Sequence, residues 1–116
     1  MDSILLTIKS MLGLDETYKV FDKELIVYIN TAINVLEQLG IGQDGFTVAS
    51  ESDTWDSYVT DLAKMEGIKT YIYIRTRLLF DPPSNSTLSK SLEDTARELE
   101  WRLNVKAEHL QNTGAD

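Results

Sequence analysis

The chain has 116 residues, 42% hydrophobic and 26% charged, the balance of an ordinary globular domain and not of a disordered chain. Eleven basic against 19 acidic residues leave a formal charge of -8, which opposes the counterion release behind most nucleic-acid binding. With no cysteine, disulfides and thiolate metal sites are excluded.

One domain of this length buries roughly two thirds of its unfolded surface. No run approaches a membrane span, and "MDSILLTIKSMLGLDE" reads as a mature cytosolic start. Ile4, Leu5, Ile8, Met11 and Leu12 recur at helical spacing up to Gly13, giving a short amphipathic helix. After "DETYK", Phe21-Asp22 has the form of a helix start, with Asp22 as cap and Phe21 able to staple onto Ile26. Leu25, Ile29, Ala32, Ile33, Leu36 and Leu39 then hold one face as far as Gly40.

The segment "GIGQDGFTVASESD" holds three of the six glycines and reads as a loop, with Phe46 and Val48 able to form a small hairpin. Asp53 resembles an acidic helix cap, opening a helix that either continues or breaks near Thr60-Asp61. The stretch "YIYIRTRLLFDPP" alternates like a strand, yet Met65, Ile68, Ile72 and Leu79 share one helical face, flanked by Leu62 and Phe80. A helix from about Asp61 to Phe80 accounts for all six, whereas a strand from Tyr71 leaves Leu62 to Ile68 unexplained. Pro82 and Pro83 forbid its continuation and make a rigid corner. Beyond "SNSTL", which supplies caps, Leu88, Leu92, Ala96, Leu99 and Leu103 form the seam of a last helix. From Val105 the sequence is polar and unpatterned. The expectation is an all-α bundle of about four helices over residues 1–104, with a flexible tail at 105–116.

No catalytic, cofactor or metal constellation stands in the chain. His109, the one histidine, has no second His or Cys to form a site with. The acids from Glu93 to Glu100 alternate with Lys90, Arg97 and Arg102 as on a solvated helix face. "GIGQDG" lacks the Lys-Ser/Thr and the preceding strand of a phosphate loop. What stands out is apolar surface on the wrong faces. Trp101 points away from the Leu92 side of its helix, and Tyr73, Ile74 and Arg77 lie opposite the Ile68/Ile72 stripe. Either these groups are covered within the chain, or they meet another molecule, where tryptophan is enriched. Arg77 can also pair with Asp81, one turn on, and Arg75 can snorkel or bond a helix end.

The run "KTYIYIRTRLLFDPPSNSTLSKSLEDTARELEWRLNV" resembles the C-terminal half of the head-tail connector proteins, or neck adaptors, of tailed double-stranded DNA bacteriophages. "DSILLTIKSMLGLDETYKVFDKELIVYINTAINVLEQLGIG" is similar to their N-terminal half, and the most specific parts are "RLLFDPP" and "ELEWRLN". The resemblance implies a structural subunit of the virion neck, assembled in the host bacterial cytoplasm. It implies a homo-oligomeric ring, typically twelvefold, docked under the portal protein and offering a platform to a stopper or tail-completion protein. DNA would pass through the channel without specific binding, no membrane being involved. Tyr73, Ile74, Arg77, Asp81 and Trp101 are then candidates for the subunit interface. Val105, Lys106, His109 and Leu110 are candidates for contact with the portal, because related adaptors reach it with their C-terminal segment. The rival expectation is a small helical binding or regulatory module acting as a monomer or dimer. An enzyme would need a convergent polar site, and a DNA-binding domain is disfavoured by charge.

Overall fold

A computed structural model of the chain describes the backbone of residues 2–115 and the side chains of residues 2–105. It contains five helices among the described residues: α1 (Ile4–Met11), α2 (Asp22–Gln38), α3 (Trp55–Tyr58), α4 (Leu62–Phe80) and α5 (Ser86–Ala115). The all-α expectation holds, and the helix expected to open near Asp53 breaks before Thr60-Asp61, leaving the single-turn α3.

The central element is α4. It packs against α2 on one side and α5 on another, and α1 lies across both α2 and α4. Its buried residues, Met65, Ile68, Tyr71, Ile72, Ile74 and Thr76, spread over about 200° of circumference, as a helix enclosed by neighbours requires. Intrinsic propensity opposes so many β-branched residues only by tenths of a kcal/mol each, which burial of this size outweighs. Leu62 and Leu79 continue the stripe by angle but are exposed, 82% and 52%, because they lie at the two ends of α4.

The helix limits follow local chemistry. Ser3 caps α1 by accepting the Leu6 N–H at 3.2 Å, and Asp61 caps α4 by accepting that of Ala63 at 2.9 Å. At α2 the cap position falls to Phe21, which gives no side-chain bond, and Asp22 is the first helical residue. Its carboxylate is turned to the buried ammonium of Lys9, 2.9 Å away. That partner was invisible to a reading along the chain.

No hairpin forms between α2 and α3. The Val48 main chain is instead bonded in both directions by the Asn30 side chain, Nδ2 donating to the Val48 carbonyl at 3.0 Å and Oδ1 accepting its N–H at 2.8 Å. One amide takes the place of a neighbouring strand and fixes Val48 in the core. Asn30→Ala should therefore cost about 1–2 kcal/mol by denaturant titration, since it frees two main-chain groups at once. Asp53 does not cap α3; its Oδ2 accepts the N–H groups of Ala49 and Ser50, and Thr54 takes the cap position. Gly42 is a required glycine: φ is +84°, and a Cβ there would lie 2.3 Å from the Tyr58 ring. Burial, with Glu37 nearby, pushes the Tyr58 phenol far up.

Candidate assembly surface

The functional question concerns which faces of α4 and α5 are used up inside the chain. Between the two helices a charged clamp closes the middle. Tyr71 is wholly buried, and its hydroxyl donates to Glu100 Oε2 at 2.7 Å. The same oxygen takes Arg75 Nη2 at 2.6 Å, and Arg75 Nε donates to the Tyr71 hydroxyl at 3.3 Å. Burial, reinforced by the Glu100 bond, pushes the tyrosine up to about 12. At Glu100 burial works against ionisation, but the bonds from Arg75 and Tyr71 prevail and hold the carboxyl below its ordinary value. Arg75 is held above its own, the Glu100 and Tyr71 bonds outweighing burial. The expectation that Arg75 snorkels or bonds a helix end is thus corrected. Glu100 also leaves the solvated face assigned to it, while Lys90–Asp94 and Glu98–Arg102 form the i,i+4 pairs expected there.

The corner is built from both helices. Pro83 offers its carbonyl to Ser89 Oγ at 3.1 Å, and Asn85 Oδ1 caps α5 by accepting the N–H groups of Thr87 and Leu88. At the same end of α4, Phe80 meets Phe21 edge-on with ring centroids 5.1 Å apart. Asp81 is exposed, and only its main-chain N–H bonds Arg77, at the carbonyl, 2.8 Å away. The Arg77 guanidinium donates to the Tyr73 hydroxyl at 3.0 Å and forms no ion pair with Asp81.

The structure separates the sequence candidates. Ile74, 3% accessible, belongs to the chain's own core, because α4 is enclosed on more than one side. Tyr73 and Arg77 are half-buried and bonded to each other. Trp101 is 67% exposed, so neither a neighbouring helix nor any other described residue covers it. Val105 is 41% exposed. Helical backbone continues from there to Ala115, through the segment assigned to a tail. The Lys106, His109 and Leu110 side chains lie outside the described residues.

Trp101 and Val105 border a groove of roughly 450 Å³, floored by Ala63 and Gly67 of α4 and by Leu99 and Leu103 of α5. Gly67 lines it without a side chain, and a Cβ there would rest in ordinary van der Waals contact with Leu103, 3.7 Å away, and Leu99, 3.9 Å away. The sequence singled out Trp101 but not the groove, which requires the antiparallel register of α4 and α5. Among the described residues no three His, Cys, Asp or Glu side chains cluster as for a metal. No described helix is long and apolar enough to cross a membrane. An open apolar groove at one end of α4, with a rigid corner at the other, can bind another macromolecule, and that is the chemistry this surface offers.

A family model described as phage connector protein matches residues 4–110. Comparison with curated proteins and with solved structures gave no significant match.

Proposed function

Because this chain belongs to the phage connector protein family, whose members are structural proteins of the virion, we propose that it is a ring-forming subunit of the head-tail connector. The ring docks beneath the portal, continues the DNA channel and carries the stopper or tail-completion protein. Trp101 is the observation that supports assembly beyond family membership. A tryptophan 67% exposed beside an apolar groove is a costly surface for a subunit that stays alone. The charge of -8 suits a channel that repels phosphates, so that DNA passes without adhering.

The test is the mass in solution by light scattering on a sizing column, across a wide concentration range and with purified portal protein added. A closed oligomer of about ten or more subunits, alone or on the portal, is expected. A monomer or dimer that stays so even with the portal present would replace the ring by the simpler binding module. The portal contact has its own check. Truncation after Asn104 should abolish co-migration with the portal while leaving the helical circular dichroism of the remaining chain.

A further inference from the structure

The groove beside Trp101 needs an occupant, and the chain carries a suitable one at the far end of α4. Resting on the ring reading, we propose that this groove receives the Leu79–Asp81 corner of a second copy, giving a head-to-tail contact. The groove's charged lining residues are Lys64 and Arg102, both cationic. Each keeps donors free for a partner. Lys64 is 3.9 Å from Asp61, too far for a hydrogen bond, and Arg102 spends one N–H on Glu98. The complementary surface is therefore apolar with an exposed acid.

The corner has that composition. Leu79 is 52% exposed and Leu88 44%, with the exposed Asp81 carboxylate between them in the chain. The two prolines and the Ser89 bond fix its shape, so little conformational freedom is lost when it docks. Of the other exposed apolar residues, Val20 and Tyr18 stand beside Lys19 and Lys23 and would place cation against cation, Leu62 adjoins the groove itself, and Met11 and Val27 lie on α1 and α2 without the prolines that fix the corner.

Geometry also favours the head-to-tail arrangement. Ala63 and Leu79 are separated by about 24 Å along α4. A symmetric dimer through either surface would leave the other uncovered, whereas a heterologous contact uses both on every subunit and closes into a ring when the rotation permits.

The absence of cysteine allows a direct test. Val105→Cys marks the groove and Ser84→Cys the corner. The two single variants, one carrying a size tag, are mixed in equal amounts at high concentration and treated with a short bismaleimide. The mixed dimer should far exceed the two-to-one ratio over either homodimer that random collision gives. Adding Trp101→Glu to the groove variant should return the yield to that ratio, with unchanged circular dichroism. A statistical ratio without that change, or a dominant homodimer, overturns the proposal. Light scattering on the unmodified chain separates the two levels: a closed oligomer with statistical cross-links refutes these surfaces and leaves the ring standing. No oligomer, alone or on the portal, refutes the ring itself.

Discussion

Lys9→Ala should lower the unfolding free energy by about 3–5 kcal/mol, the effect of removing one partner from a buried ion pair. Lys9 has no exposed side-chain surface. Its ammonium donates to the carbonyls of Glu16 at 3.1 Å and Tyr18 at 2.8 Å, and lies 2.9 Å from Asp22 Oδ1 as an ion pair without hydrogen-bond alignment. Alanine leaves two carbonyls and a mostly buried carboxylate without their cation, and a space where the stem had been. The midpoint of thermal unfolding should fall by roughly 10–20 °C. Lys9→Met keeps much of the stem volume and should lose less, which separates packing from charge. Urea titration of both variants is the check; a loss below about 1 kcal/mol for alanine would show that the 14–21 loop opens and hydrates at little cost. The consequence reaches the assembly surface, because that loop leads to Phe21, whose ring supports Phe80 at the base of the corner.

The same lysine shows where sequence reading stops. Helix positions were legible because apolar spacing, Gly13, Gly40 and the two prolines are local signals, and the α4 limits fall within one residue of the expected Asp61 start. Leu25, Ile29, Ala32, Ile33 and Leu36 are all buried, as the α2 stripe requires. Partnerships between distant residues were not legible. Lys9 with Asp22, Asn30 with Val48, and Arg75 with Glu100 each depend on how helices or loops meet, and nothing along the chain marks either member of a pair as the other's partner. Ile74 was misplaced for a related reason. A helical wheel shows which residues share a face, but not how many faces have neighbours. Of the candidate surface, Trp101 and Asp81 could be read directly, whereas the groove between Gly67 and Leu103 exists only once α5 lies against α4.

Glu100→Ala should cost about 2–3 kcal/mol, since it strips a charge-assisted bond and leaves the buried Tyr71 hydroxyl without its acceptor. Side-chain exposures of 32% for Arg75 and 28% for Glu100 keep the figure below that of a fully enclosed pair. The sign of its pH dependence follows from the carboxyl, which is held below the ordinary 4.5 in the folded chain. Stability from such a group is complete above its unfolded value and is lost as pH falls through the folded one. The difference between parent and variant in urea titrations should therefore be constant from neutrality to about pH 5 and should shrink below pH 4. A difference that does not change down to pH 3 would assign the loss to packing alone. The clamp also bears on the proposed assembly, because it ties α5 to α4 next to Trp101 and the groove. Glu100→Ala should weaken assembly even under conditions where the monomer stays folded. Glu100→Gln, which keeps an acceptor for Tyr71 but not the charge, should fall between it and the parent in both stability and assembled fraction.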